Sequence, residues 1–250
     1  ASEPMPVDPF EVNGKMYSDT YVIEIRDDLA WSYHDDTDVS GFTAEHADLD
    51  ANDYYDTWKH ALENNWFRAV AGGGDFITNG VKNAAEFVAG TKDWEDVGIK
   101  LLDDNHIEIT FVSDKTIFDV KYSLVGNWTP INMELFDALG ETNYAQGPDS
   151  IASTGIYQLE EYTSGQFYFF GKNELHPSAD MYNYTGQQFR MIADDETRFQ
   201  EFLAGRLESA SVPSARVSEY ATDPRVEVAP DATTWRLQIN GFGTVENRDA

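Results

Sequence analysis

Residues 151–212 constrain the fold of this chain more than any other stretch. Two alternating runs, 156–162 and 166–172, flank Thr163-Ser164-Gly165, a turn suited to a hairpin. A third run, 187–193, is followed by Asp194-Asp195, which can cap a helix carrying Phe199, Phe202 and Leu203. Gly205 stops that helix, and 207–212 reads as a returning strand. A strand, a short helix and a second strand favour a parallel right-handed crossover. The chain therefore reads as mixed α/β.

With 250 residues it is long enough to bury a core in one or two domains. Its charge is extreme: 45 carboxylates face 17 Lys and Arg, a net of −28. Such a field repels nucleic acid and anionic membranes, so neither is expected as a partner. Aromatic residues at 14% argue against disorder. The absence of cysteine removes disulfides, thiol nucleophiles and thiolate metal sites. No run approaches the ~18 apolar residues of a spanning helix. No signal-peptide pattern opens the chain, so an exported form needs a leader outside these residues.

Residues 1–20, with Pro4, Pro6 and Pro9, read as an entry arm or a cut boundary. The run 20–26 alternates as a strand, with Tyr21, Ile23 and Ile25 on one face. An acidic loop, 27–50, ends at Asp50, which can cap a helix beginning at Ala51 with Asp53 in its first turn. Tyr54, Trp58, Ala61 and Leu62 form the apolar stripe of that helix. After Gly72-Gly73-Gly74, a short helix at 82–89 stops at Gly90. The runs 97–102 and 106–112 make a hairpin around Asp103-Asp104-Asn105. Residues 116–140 are helical in part and broken at Trp128-Thr129-Pro130; 226–228 and 233–240 are further short strands.

Candidate chemistry is sparse. His34, His46, His60, His106 and His176 are scattered, and none belongs to the His-Glu-x-x-His pair of a helical zinc site. Asp36-Thr37-Asp38-Val39-Ser40-Gly41 matches the first half of a calcium loop, but position 12, where a bidentate glutamate belongs, is Ala47. It reads as a solvated acidic loop, with a structural calcium ion as the alternative, and no metal is assigned. Gly72-Gly73-Gly74-Asp75 lacks the Lys-Ser/Thr pair of a phosphate loop, and no Gly-x-Ser-x-Gly elbow occurs. Glycosidase-like carboxylate pairs arise by chance among 45 acids, so no catalytic residue and no cofactor are assigned. Trp128, before Thr129-Pro130, and Trp66, after Asn64-Asn65, each suit either a core plug or the apolar wall of a ligand cleft.

A series of short motifs runs along the chain: Tyr21-Val22-Ile23-Glu24-Ile25-Arg26 with Trp31, then the helix Asn52-Asp53-Tyr54-Tyr55-Asp56-Thr57-Trp58, with Thr43-Ala44 upstream of it. Val81-Lys82-Asn83-Ala84 with Phe87 and Gly90 follows, then Val97-Gly98-Ile99-Lys100 and Leu102-Asp103-Asp104-Asn105. Beyond Trp128-Thr129-Pro130-Ile131 come Ser153-Thr154-Gly155-Ile156-Tyr157, Lys172-Asn173 and Phe202-Leu203-Ala204-Gly205. Each is weak alone. In this order they resemble the extracytoplasmic solute-binding proteins of oligopeptide and dipeptide ABC importers, family 5. Thr154 stands where that family usually has asparagine, the acidic loop is longer, and members are about twice this length.

The resemblance implies one lobe of a type II periplasmic-binding architecture, the opposite lobe being absent. It assigns 1–132 to an extra subdomain containing the 97–112 hairpin and 133–240 to part of the first lobe with the strand–helix–strand unit. Residues 241–250 would start the crossover to the second lobe. The function it implies is capture of a peptide-like solute outside the membrane, without catalysis, by a monomer that delivers to an importer permease. The protein would be periplasmic or a cell-surface lipoprotein. The implied ligand-binding residues are Trp66, Trp128, Thr129, Thr154, Gly155 and Asn240. Backbone groups at Thr154-Gly155 and near Asn240 would bond an extended ligand, while Trp128, Thr129 and Trp66 wall its pockets. Two alternatives are a carbohydrate-active or carbohydrate-binding module, suggested by the acids and aromatics, and a surface protein that keeps the fold without transport.

Overall fold

The computed structural model describes residues 3–42, 48–70, 77–124 and 128–229. The chain divides into two compact units, Ala1–Met191 and Ile192–Ala250.

The first unit opens with three strands, β1 (Met5–Val7), β2 (Phe10–Val12) and β3 (Lys15–Glu24). This corrects the expectation of an entry arm or a cut boundary over 1–20. Pro6 is tolerated because β1 is an edge strand with no second neighbour among the described residues. Asn13 and Gly14, at φ 52° and 77°, supply the two left-handed residues of the β2–β3 turn. A short strand, β4 (Ser32–Tyr33), precedes helix α1 (Ala51–Glu63). The Asp50 carboxylate accepts the N–H groups of Asn52 and Asp53, and Asp53 accepts Asp50 N–H at 2.9 Å, a reciprocal cap.

Three short helices, α2 (Phe67–Val70), α3 (Ile77–Gly80) and α4 (Ala84–Val88), lead into the expected hairpin, β5 (Ile99–Asp103) and β6 (His106–Lys115). The sheet runs β1-β3-β6-β5 with β2 also on β3, antiparallel throughout. Its register sets Tyr21 opposite Ile109 and Ile23 opposite Ile107, which puts the apolar residues of both strands on one face. Trp58, Ala61 and Leu62 of α1 close the core with Tyr21, Ile107 and Phe111. Gly98 lies where two segments meet. Its N–H donates to the Lys82 carbonyl at 2.9 Å and its carbonyl accepts Thr110 N–H at 2.7 Å. A Cβ there would collide with the Thr110 carbonyl.

Helices α5 (Ile117–Leu124) and α6 (Met133–Leu139) flank the break at Trp128-Thr129-Pro130. Strand β7 (Ala152–Ser153) then pairs antiparallel with β4, and β8 (Tyr157–Thr163) with β9 (Phe167–Lys172) forms the second expected hairpin, Gly165 turning it at φ 70°. Strand β10 (Gly186–Arg190) adds antiparallel to β9.

The second unit holds α7 (Asp195–Leu203), whose N-cap Asp194 accepts Thr197 N–H at 2.7 Å, and α8 (Val217–Tyr220). Phe199 is buried, edge-on to Tyr220 at 4.9 Å. Neither 207–212 nor 226–228 forms a strand, which corrects the expected parallel crossover. A strand needs a neighbour's backbone, and none is described within 192–229. Residues 208–212 instead line a cavity of about 480 Å³ with Phe199, Phe202 and Leu203. The run 233–240 lies outside the described residues, as do 241–250, Thr43-Ala44 and the Gly72-Gly73-Gly74 triplet.

Candidate ligand-binding site

The β4–β7 ladder, Ser32 opposite Ser153 and Tyr33 opposite Ala152, joins two distant parts of the first unit. It carries the Thr154-Gly155 turn beside the 31–34 segment. Asn173, following the last residue of β9, holds the turn from the other side. Its side-chain N–H donates to the Gly155 carbonyl at 3.0 Å and its backbone N–H to the Ile156 carbonyl at 2.8 Å. Its Oδ1 accepts Leu175 N–H at 3.0 Å. Gly155 N–H donates to Ser153 Oγ at 3.1 Å. Both backbone groups of Gly155 are thus engaged within the chain. The half-buried Thr154 hydroxyl makes no hydrogen bond among the described residues.

A polar network backs this turn. Ser32 Oγ donates to Gln158, whose amide donates to Glu160 at 2.6 Å. His34 Nδ1 accepts Asp36 N–H at 3.2 Å while Nε2 stands 3.8 Å from the Glu160 carboxylate. Deeper, the Trp31 indole N–H donates to Asp53 at 3.2 Å, and the buried Asn132 donates to the Tyr33 hydroxyl at 3.0 Å while accepting Leu135 N–H at 2.8 Å. Burial pushes the Tyr33 phenol up to about 12, and the negative charges of Glu134 and Asp53 add to the shift. Near the start of α1 and α6, a cavity of about 320 Å³ is lined by Asp53, Asp56, Glu134 and Asp137 together with Asn132. Among the described residues, no group of three or more His, Asp or Glu is arranged to hold a metal ion.

The other expected residues divide. Trp66 is half-buried and packed against the core, edge-on to His60 at 5.0 Å and to Phe136 at 5.6 Å, so its indole belongs to an aromatic row. Thr129 is exposed. Trp128 is 2% exposed, edge-on to Trp58 at 5.1 Å, and its carbonyl accepts the Trp58 indole N–H at 3.0 Å. Of its two sequence readings, the plug describes this packing, because a ring enclosed on all sides offers no wall to a ligand. Asn240 lies outside the described residues. Sequence reasoning passed over Asn173 and Asn132 as site residues. The signal available for Asn173 was an asparagine directly after a strand, where its side chain can bond nearby backbone.

The sequence profile of "Bacterial extracellular solute-binding proteins, family 5 Middle" matches residues 18–244. Oligopeptide-binding protein SarA of Streptococcus gordonii is 25% identical over 231 residues, 88% of this chain and 33% of SarA. Dipeptide-binding protein DppE of Bacillus subtilis is 24% identical over 223 residues, 88% of this chain and 37% of DppE. The solved structure of Listeria monocytogenes OppA bound to peptide superposes with a TM-score of 0.69 at 20% identity, over 90% of this chain and 39% of that one. This likeness shows a shared mixed α/β fold, covered as one lobe of a two-lobed binding protein would cover it. The chain spans about a third of the length of the curated relatives it matches. Since the profile extends over nearly all of it, the chain belongs to the bacterial extracellular solute-binding proteins of family 5.

Proposed function

We propose that the chain is part of the peptide-binding component of an ABC importer, acting outside the cytoplasm without catalysis. The observation that supports this most is the family match together with relatives whose names describe binding of oligopeptides and dipeptides. Within the protein, 1–132 would be the extra subdomain, 133–240 part of the first lobe and 241–250 the start of the crossover. The protein works as a monomer that delivers its solute to a membrane permease. The lobe offers an extended peptide the Thr154-Gly155 turn, with Thr129 and Trp66 walling side-chain pockets and the segment near Asn240 adding backbone contacts. Because Gly155 has both backbone groups engaged internally, the Thr154 hydroxyl is the freer group for a ligand. Affinity comes from closure of a second lobe over the solute, since contacts made in the closed state alone drive that shift. The carbohydrate alternative is not favoured, because the named relatives bind peptides.

Isothermal titration with short peptides tests this. The chain by itself should bind only weakly, and the protein with both lobes should bind tightly. Micromolar binding by the isolated chain, or tight binding of oligosaccharides in place of peptides, would overturn the proposal.

A further inference from the structure

Two hydrogen bonds donated by one residue reach the turn that the peptide-binding reading assigns to the ligand, and a third, accepted from Leu175 N–H, anchors that residue. Asn173 is 4% exposed. Its backbone N–H and side-chain N–H take the carbonyls of two consecutive residues, Ile156 and Gly155, at 2.8 and 3.0 Å. Its remaining side-chain atom, Oδ1, accepts Leu175 N–H at 3.0 Å. That last bond fixes the amide orientation, since an acceptor must face Leu175 and a donor must then face Gly155. Only a side chain with one donor and one acceptor on the same planar group meets both demands. Aspartate would turn an anionic oxygen onto a carbonyl, and leucine of similar shape would leave both backbone groups unpaired.

Gly155 itself does not brace the turn through side-chain packing, and its φ lies outside the left-handed region. A Cβ there would press on the Tyr157 carbonyl at 3.3 Å and on Ser153 Oγ at 3.4 Å. The position is held by bonding partners, Ser153 on the amide and Asn173 on the carbonyl.

We propose that Asn173 is a positioning residue for ligand binding: by tying down the Gly155 carbonyl, it sets the orientation in which residues 154–156 meet a bound peptide. The role rests on the peptide-binding reading of this site. Asn173 touches no ligand itself. It acts through the turn.

The test uses the full protein that contains this chain, with a pool of mixed-sequence short peptides as probe. Wild type, Asn173→Asp and Asn173→Ala are compared at two pH values. Asn173→Asp keeps the acceptor for Leu175 N–H, and in acid its protonated carboxyl can again donate to Gly155. Peptide affinity of Asn173→Asp should be about tenfold weaker than wild type near pH 8 and within about twofold of it near pH 3.5, whereas Asn173→Ala should stay about tenfold weaker at both. Equal loss by Asn173→Asp at both pH values, or no loss at either, overturns the positioning role. If wild type binds no peptide, the peptide-binding reading fails, and Asn173 is then judged on the carbonyl NMR signals of Gly155 and Ile156. These should shift in Asn173→Asp at neutral pH and return in acid; signals that stay in place overturn it.

Discussion

Tyr33 and Tyr144 show how single side chains couple this fold to pH. Burial pushes both phenols from 10.0 up to about 12, with Glu134 and Asp53 adding to the shift at Tyr33, and Tyr33 adding to it at Tyr144. A phenol whose pKa is higher folded than unfolded holds its proton more tightly in the native state. Its contribution is therefore fully present below pH 10 and is lost as pH rises from about 10 to 12. Absorbance at 295 nm should reveal a late-ionising class among the 13 tyrosines, coinciding with alkaline unfolding. A single transition of all tyrosines near 10, with the protein still folded above it, would show the burial to be incidental. Trp128 makes a different point. An indole beside a proline turn looks the same in sequence whether it plugs a core or walls a cleft, and only its neighbours Trp58 and Phe111 decide between them.

Elements with local signals were readable from the chain. The Asp50 and Asp194 caps, the turns at Asp103-Asp104-Asn105 and Gly165, and the apolar stripe of α1 all depend on residues within one or two turns of each other. Asn13-Gly14 was an equally local hairpin signal that went unread beside the three prolines. Gly98 marks where elements meet rather than where one begins. Gly98→Ala should cost about 1–3 kcal/mol in urea unfolding, because the methyl has backbone, not a movable side chain, in front of it. An unchanged urea midpoint would mean that the β5–β6 hairpin and the 81–84 segment separate more easily than their hydrogen bonds imply. The 207–212 run is not a strand among the described residues: alternation can propose a strand, but a neighbouring backbone has to accept it, and none is described within 192–229.

At the scale of the molecule, charge dominates. A net of −28 on 250 residues makes self-repulsion a standing cost of compactness. Raising salt shortens the screening length from about 10 Å at 0.1 M to about 3 Å at 1 M. Thermal stability should therefore climb steadily over that range in sodium chloride, and a flat or falling midpoint would show that local ion pairs such as Lys100–Glu108 at 2.8 Å outweigh the global field. The sequence by itself determined the acidity, the caps and hairpins, and, through the order of weak motifs, the family. All of these are written in residue type or in near-neighbour spacing. Tertiary structure alone decided that Ser32 meets Gln158 across 126 positions, that Trp128 is core, and that Asn173 closes on Gly155. Pairing over such distances depends on how the whole chain fills space and satisfies its buried polar groups, and no short window of sequence contains that information.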